Sequence, residues 1–175
     1  MKILRISAVL LSAMMIFSAA GCGSYDDSSC SSCEITVNDK SAEEVLTAAV
    51  EKAKDSNLNT TTKKGDTDEY GFDKNCEKLY GGITPKELDD GLISYSSAGG
   101  LADEISMLKP NDESNREKLM SILKERINVR RRDFEGYKPE ELPKIENARV
   151  FEADGFCILV IADNSEEIEK AFKEG

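Results

Sequence analysis

The chain contains no histidine and no tryptophan among its 175 residues. Without histidine, neither a Ser-His-Asp triad nor a Cys-His pair can form, and zinc cannot be held through imidazole. Tryptophan offers the largest aromatic face for stacking on a glycan, and the chain has none. These two absences exclude many hydrolases and metalloenzymes.

Positive charge is also scarce, because 23 Lys and Arg stand against 34 Asp and Glu, for a net charge of −11. Such a surface repels nucleic-acid phosphates and anionic lipid headgroups, so we expect no nucleic-acid partner. Arg130, Arg131 and Arg132 follow one another in the chain. On a helix they point in three directions, and we predict a solvated face that neutralises nearby acids rather than an anion site.

Long apolar runs are missing except near the N-terminus. Lys2 and Arg5 precede an uncharged, mostly apolar stretch, residues 6–20, which ends at Gly21 and Cys22. The stretch is shorter than the roughly 20 residues of a membrane-spanning helix and has the order of regions of a signal peptide. We predict a lipoprotein signal over residues 1–21, cleaved between Gly21 and Cys22. An uncleaved anchor and ordinary secretion are the alternatives.

In this interpretation Cys22 carries lipid and becomes the mature N-terminus. Each buried CH₂ contributes about 0.8 kcal/mol, so two acyl chains anchor a protein stably. Cleavage removes two cations and no acid, which makes the mature net charge −13. We expect the protein at the outer face of the bacterial cytoplasmic membrane, with residues 22–33, rich in Gly, Ser and Asp, as a flexible tether. Residues 34–175 are predicted to form a single domain.

The domain has the pattern of an α+β fold. Ser41 and Glu44 indicate a capping box at the start of a first helix. Residues 55–75 are polar and are predicted to form an irregular loop, and a helix is expected from Thr84 to Gly91. Strands are predicted at residues 92–97, 101–108, 148–153 and 156–162, the last two joined by an Asp-Gly turn. Helices are predicted at residues 113–136 and from about residue 164.

These elements predict a four-stranded, mostly antiparallel sheet of order ββα-ββα, preceded by the N-terminal helix. The helices are expected to pack on one face, which leaves the other face to solvent. Ser94, Ser96, Glu104 and Ser106 would lie on this polar face and are candidates for a binding surface.

Three segments carry a family resemblance: residues 79–83 (Leu-Tyr-Gly-Gly-Ile), 95–105 (with Ala-Asp-Glu-Ile at its end) and 143–148 (Pro-Lys-Ile-Glu-Asn-Ala). They resemble a family of small lipoproteins from Gram-positive bacteria that is known only as domain of unknown function 4358. The resemblance implies a fold and an extracytoplasmic location. It implies no activity, ligand or cofactor.

Cys30 and Cys33 have the spacing of a redox pair but lie in the predicted tether, where no helix dipole lowers a thiol pKa. A small local disulfide and free thiols both remain open. Cys76 and Cys157 are far apart in the chain; a bridge between them is one alternative, and an inert buried Cys157 is the one we favour.

A calcium loop is a further candidate. Counted from Asp66, the chain has acids at loop positions 1, 3 and 12, which are Asp66, Asp68 and Glu77, and glycine at position 6. Tyr70 stands where position 5 needs an oxygen ligand. We therefore predict no metal and no cofactor as the main interpretation, with these three acids as the alternative.

Taken together, these patterns favour a non-catalytic binding or envelope-interaction module. Its partners would be the membrane, through the lipidated N-terminus, and an unidentified envelope protein or ligand. The alternatives are a carboxylate-dependent hydrolase that acts on a wall or peptide substrate, and a calcium-stabilised lipoprotein.

Overall fold

The computed structural model describes residues 41–53 and 57–174, with only the backbone for residues 51–53. The predicted signal, Gly21 and Cys22, the tether, and Cys30 and Cys33 lie outside these described residues. The described residues belong to one compact unit, Val37–Gly175.

Five α-helices and five strands make up the described part of the chain. The helices are α1 (Ala42–Ala53), α2 (Phe72–Leu79), α3 (Arg116–Glu135), α4 (Leu142–Glu146) and α5 (Ser165–Glu174). The strands are β1 (Thr60–Lys63), β2 (Leu88–Tyr95), β3 (Glu104–Pro110), β4 (Arg149–Ala153) and β5 (Phe156–Ile161). Short 3₁₀ turns lie at Pro85–Glu87, Glu113–Asn115 and Pro139–Glu141. None of the helices in this part is long and apolar enough to cross a membrane.

The strands form one antiparallel sheet of order β1-β2-β3-β5-β4. The predicted α+β class and both hairpins, β2–β3 and β4–β5, are confirmed. The tight turn between β4 and β5 contains Asp154 at φ 49° and Gly155 at φ 79°. Two consecutive positive φ angles are what a two-residue hairpin requires, which explains the Asp-Gly pair.

The prediction of four strands was wrong, because β1 is a fifth strand in the segment expected to be a loop. Its residues, Thr-Thr-Thr-Lys, show no apolar alternation, but threonine favours extended backbone. The strand occupies a sheet edge and pairs with β2 alone, in the register Thr61↔Ser94 and Thr62↔Ile93. A short polar edge strand gives almost no pattern that sequence reasoning can detect.

The helix predicted from Thr84 to Gly91 was also wrong. The start signal is present, since the Glu87 carboxylate accepts from the N–H of Thr84 at 2.8 Å, but only the 3₁₀ turn forms. β2 begins at Leu88 because pairing with two neighbouring strands outweighs the local preference. A Cβ at Gly91 would lie 2.5 Å from the ring of Phe72, so glycine lets α2 pack against this strand.

Helices cover both faces of the sheet, which corrects the prediction of one covered face. Strand residues alternate between two apolar clusters. One cluster lies between the sheet and α1 and α5, and its strand members include Leu92, Ile105, Met107, Ile158 and Val160. The other lies against α2, α3 and α4, and its strand members include Ile93, Leu108, Cys157, Leu159 and Ile161.

The predicted solvent-exposed polar face does not exist. Ser94, Glu104 and Ser106 are all buried, and only Ser96, just after β2, is partly exposed. Ser94 pairs with Ile105 and so lies on the α1 and α5 side, opposite to Glu104 and Ser106. The alternation of polar and apolar residues was real, but it reflects a buried polar cluster under a helix.

Candidate functional site

β3 carries two polar side chains beneath the helices α2 and α3. Ser106 is paired in the sheet with Ile93 and Leu159, both members of the cluster on that side. Glu104, two residues earlier, faces the same way. Glu104 is 1% exposed and Ser106 is fully buried. A carboxylate buried this deeply has to be paired with a cation or neutralised.

Arg126 of α3 is the partner of Glu104. Its Nη2 donates to Oε2 of the carboxylate at 2.7 Å, and its Nε donates to Oε1 at 3.1 Å. Arg126 is itself only 7% exposed, so the pair is shielded from water. Two nitrogens meeting two oxygens give the strong bidentate geometry of an arginine–carboxylate pair.

Two hydroxyl groups complete the surroundings of Glu104. Tyr80, which follows α2, donates from Oη to Oε1 at 2.7 Å, and the hydroxyls of Tyr80 and Ser106 are hydrogen-bonded to each other. Burial first, and the charge of Glu104 second, raise the pKa of Tyr80 well above its ordinary value. Tyr80 therefore stays protonated and supports the carboxylate as a donor.

The pKa values of the ion pair move in the directions that keep both groups charged. Burial by itself raises the pKa of Glu104, but the charge and hydrogen bonds of Arg126 outweigh it, and the pKa lies below its ordinary value. Burial likewise lowers the pKa of Arg126, but Glu104 outweighs it and the pKa is raised. An ionised, fully engaged carboxylate is a poor general acid at neutral pH.

Arg130 lies about one helical turn beyond Arg126, and its charge is only partly compensated. Its Nε is 3.8 Å from Oε2 of Glu104, too far for a hydrogen bond, and Nε is buried with no hydrogen-bond partner. Its Nη2 donates to the carbonyl of Leu101 at 3.3 Å, and its Cζ lies 4.7 Å from the centre of the Phe134 ring. Burial lowers the pKa of Arg130, yet a guanidinium stays charged at neutral pH.

A pocket of about 410 Å³ opens beside these two arginines. It lies between α2, the connection from β2 to β3, and the C-terminal half of α3, and its volume is within the range of small-molecule sites. Its lining residues are Tyr70, Asn75, Lys78, Leu79, Tyr95, Ser96, Ala98, Gly99, Gly100, Leu101, Glu104, Arg126, Arg130, Phe134 and Tyr137. We call it the α3 pocket.

The α3 pocket is cationic on an acidic protein. Lys78, Arg126 and Arg130 line it, and Glu104 is the single acid among its lining residues. Four buried side-chain polar atoms in the described residues have no hydrogen-bond partner, and two of them, Ser96 Oγ and Arg130 Nε, belong to lining residues. Buried polar atoms are nearly always paired, so two unmet atoms around one cavity indicate a missing polar neighbour.

The mouth of the α3 pocket is aromatic. Within the described part of the chain, the two large hydrophobic residues that are strongly exposed are Tyr70 at 75% and Tyr137 at 64%, and both line this pocket. Tyr137 also packs edge-on against Phe134, with ring centres 6.3 Å apart. Exposed aromatic rings gathered at one cavity are a common feature of binding sites.

A second buried charge cluster lies beside the first and is closed. Lys144 of α4 donates to Oδ2 of Asp103 at 2.8 Å and to Oε2 of Glu141 at 2.9 Å. Glu141 also accepts from the N–H of Ala102 at 2.9 Å, and Asp103 accepts from Asn57 at 3.1 Å. Burial lowers the pKa of Lys144, but these carboxylates outweigh it and the pKa is raised. The cluster ties α4 to the start of β3.

The calcium candidates are not brought together as a site. Oδ1 of Asp66 accepts from the N–H of Asp68 at 3.2 Å, whereas Glu77 forms an ion pair with Lys74 at 3.6 Å. Among the described residues, no group of three or more His, Cys, Asp or Glu side chains is arranged to hold a metal. A Cβ at Gly71 would lie 2.5 Å from Oδ1 of Asp66, so the glycine lets the chain turn tightly into α2.

Cys76 and Cys157 are both buried free thiols, and no bridge joins them. Burial, with the charges of nearby acids, raises the pKa of Cys76 to about 12 and that of Cys157 to about 11. Thiols with such pKa values are almost wholly protonated near neutrality and are unreactive. Both cysteines therefore serve as packing residues.

The arginine triplet is divided between the pocket and solvent, so the prediction of a solvated face was wrong for Arg130. Arg132 pairs with Glu125 on the exposed side at 3.4 Å, whereas Arg130 lines the α3 pocket. Sequence reasoning missed Arg126 and Tyr80 altogether. Arg126 lies at helical spacing from Leu119 and Leu123, which are fully buried. A cation within an apolar helix stripe was the signal that could have located the buried partner.

The fold and the pocket define a small α+β domain with helices on both faces of its sheet and, among several surface cavities, a cationic one beside the C-terminal half of α3. The family model described as Domain of unknown function (DUF4358) matches residues 60–162, more than half of the chain, and the chain belongs to this family. The match runs from β1 to the residue after β5 and includes every lining residue of the α3 pocket. No curated protein and no solved structure matches the chain.

Proposed function

We propose that this protein is a non-catalytic binding module that a lipid on Cys22 holds at the outer face of the bacterial cytoplasmic membrane, and that the α3 pocket is its binding site. The observation that carries the binding role is that two strongly exposed tyrosines and two residues with unpaired buried polar atoms line one cationic cavity. A cavity with a few polar groups among its lining residues is a candidate for a ligand site.

The membrane location is supported by the head of the sequence. Lys2 and Arg5, the apolar stretch and the Gly21-Cys22 junction have the order that lipoprotein signal peptidase recognises. The net charge of −11 opposes direct adsorption to anionic headgroups, so the acyl chains would provide the attachment.

The α3 pocket favours binding over carboxylate-dependent hydrolysis. A pair of carboxyl groups is needed when one acts as acid and the other as base or nucleophile. Glu104 is the single carboxylate among the lining residues, and Arg126 holds it in its charged form. The calcium alternative receives no support from the loop, because Glu77 faces Lys74 rather than Asp66.

Binding can be tested by a ligand-observed NMR screen of small neutral and charged molecules against the full chain in detergent micelles. Gly99 lines the pocket and is exposed, and a Cβ there would meet nothing within 4 Å, so Gly99→Trp should add bulk at the pocket without disturbing the core. Gly81 is equally exposed and open but does not line the pocket, which makes Gly81→Trp the matched control. We expect molecules that bind the wild type and the Gly81→Trp variant but no longer bind the Gly99→Trp variant. Hits unaffected by Gly99→Trp would contradict the proposal.

Lipid attachment can be tested on the protein purified from membranes of the expressing bacterium. Intact mass should correspond to a chain that starts at residue 22 and carries acyl groups, and Cys22→Ser should move the protein from the detergent phase to the aqueous phase. A mass that still includes Met1, or a Cys22→Ser protein that still partitions into detergent, would refute this part of the proposal.

A further inference from the structure

We infer that the α3 pocket takes an oxyanion, a carboxylate or phosphate, attached to a planar ring, with Arg130 and Ser96 holding the oxyanion and the tyrosines at the mouth contacting the ring. This inference rests on the proposed binding function and names the ligand class of the same pocket.

The charge balance favours an anion. Arg126 is neutralised by its bidentate pair with Glu104, whereas Arg130 contacts the same carboxylate only at 3.8 Å. Lys78 adds a further positive charge to the lining. The lining residues therefore carry an excess of positive charge, which nearby Asp133 offsets in part, although the whole chain has a net charge of −11. A cationic cavity in an acidic protein attracts anions selectively.

Two of the lining residues carry polar atoms without a partner, and we place the anion beside these residues. Arg130 Nε has a proton to donate, and the Ser96 hydroxyl can donate as well, yet both atoms are buried without partners. The guanidinium is held in place by its bond to the carbonyl of Leu101 and its position over Phe134. A fixed planar guanidinium with a free N–H matches the geometry of carboxylate and phosphate oxygens.

The connection between β2 and β3 brings another cation close to the pocket. Gly100 is buried at φ +115°, and a Cβ there would lie 2.7 Å from Nζ of Lys138. The glycine thus allows the Lys138 ammonium to lie against the backbone of a lining residue. Long-range attraction of an anion into the pocket would be increased by this charge.

The ring is inferred from the mouth of the pocket. Tyr70 and Tyr137 are strongly exposed and line the cavity, and Tyr95 also lines it. An aromatic pair contributes favourable free energy beyond that of its buried area. A cavity of about 410 Å³ has room for a ring with one anionic substituent.

The test is an NMR titration of the full chain in micelles with four probes: benzoate, phenyl phosphate, benzamide and acetate. We expect benzoate and phenyl phosphate to bind, and benzamide, which lacks the charge, to bind about tenfold more weakly because a charged hydrogen bond is lost. Acetate, which lacks the ring, should bind about tenfold more weakly because the aromatic contact is lost. A preference for phenyl phosphate over benzoate would identify the phosphate source, and the reverse preference would identify the carboxylate source.

Three variants assign the residues. Arg130→Gln should weaken benzoate binding about tenfold, and Arg130→Lys should retain part of it. Ser96→Ala should weaken it about threefold, as expected for one neutral hydrogen bond. Because Ser96 Oγ has no partner within the protein, this variant keeps the inference testable if Arg130→Gln fails to fold.

The outcomes separate the inference from the function on which it rests. If benzamide binds as tightly as benzoate, or if folded Arg130→Gln and Ser96→Ala both bind benzoate like the wild type, the ligand class is wrong. If neutral molecules from the screen bind and Gly99→Trp abolishes their binding, the binding function stands but this ligand class does not. If no molecule binds at all, both fail.

Discussion

Two neighbouring residues, Asp103 and Glu104, belong to two different buried charge clusters, and the clusters differ in which sign of charge is in excess. Asp103 and Glu141 share one cation, Lys144, so that cluster has an excess of acid. Glu104 shares two cations, Arg126 and Arg130, so the other has an excess of positive charge. Asp103 lies just before β3 and contacts Lys144 of α4, whereas Glu104 is the first residue of β3 and contacts Arg126 of α3.

The clusters also differ in how completely their polar atoms are used. Glu141 accepts from the N–H of Ala102, and Asp103 accepts from Asn57, which leaves the first cluster closed. The second leaves Nε of Arg130 without a partner and borders a cavity. The closed cluster therefore has a structural role, whereas the unmet donor beside a cavity makes the second cluster the candidate for binding.

The largest effect should come from breaking the pair of Glu104 and Arg126. Glu104→Gln preserves volume but leaves the Arg126 charge buried and uncompensated, which typically costs about 3–5 kcal/mol. We expect a loss of this size in the free energy of unfolding, measured by urea denaturation followed by circular dichroism.

Two control variants show whether the loss of stability comes from the buried pair. Glu125→Gln on the exposed side of α3 removes a surface ion pair with Arg132 and should cause no measurable change. The double variant Glu104→Leu with Arg126→Met should recover much of the loss, because a buried pair can be replaced by apolar side chains of similar volume. A stable Glu104→Gln single variant would contradict the tight pairing described here.

The pair of Glu104 and Arg126 also predicts that the free energy of unfolding depends on pH. The pKa of Glu104 is lower in the folded protein than its ordinary value of 4.5, so its contribution to stability is full above that value. As the pH falls from 4.5 through the folded pKa, Glu104 takes up a proton and this contribution is lost. The difference in unfolding free energy between wild type and Glu104→Gln should therefore narrow below pH 4.5, in urea denaturations at pH 7, 5, 4 and 3. A constant difference down to pH 3 would contradict the assigned direction of the shift.

The closed cluster should be less sensitive to the loss of its cation. Lys144→Met keeps the length of the side chain and removes its charge, but Asp103 keeps the hydrogen bond from Asn57 and Glu141 keeps that from Ala102. We expect a loss of about 3 kcal/mol in unfolding free energy, the lower end of the range for a broken buried ion pair, because these two hydrogen bonds remain. Lys170→Met, at an exposed pair with Glu174, is the matched control and should have no measurable effect. A loss larger than that of Glu104→Gln would reverse the comparison of the two clusters.

The elements that could be predicted from the sequence are those with strong local signals. The capping box of α1 is confirmed, since Ser41 Oγ accepts from the N–H of Glu44 at 3.3 Å and the Glu44 carboxylate accepts from the N–H of Ser41 at 3.0 Å. The Asp154-Gly155 turn joins β4 to β5 as its positive φ angles require. Each of these features depends on interactions among a few consecutive residues, so a short window of sequence contains their cause.

The candidate site could not be predicted in the same way, because its partners are distant in the chain. Glu104 and Arg126 are 22 residues apart, and Glu104 and Tyr80 are 24 apart. Glu104 and Ser106 alternate with Ile105 and Met107, which is also the pattern of a solvent-exposed face. Only the docking of α3 distinguishes a buried polar cluster from such a face.

The smallest expected effect on stability concerns two serines near the cluster of Glu104, Arg126 and Arg130. Ser106 and Ser96 differ in their partners, because the Ser106 hydroxyl is bonded to Tyr80 while the Ser96 hydroxyl has no partner. Removing one partner of a buried hydrogen bond costs about 1–3 kcal/mol, so Ser106→Ala should destabilise the protein by that amount. Ser96→Ala breaks no bond within the protein and should leave the unfolding free energy unchanged to within about 0.5 kcal/mol, or raise it slightly. Equal losses for the two variants in urea denaturation would mean that the Ser96 hydroxyl is satisfied internally and is not reserved for a ligand.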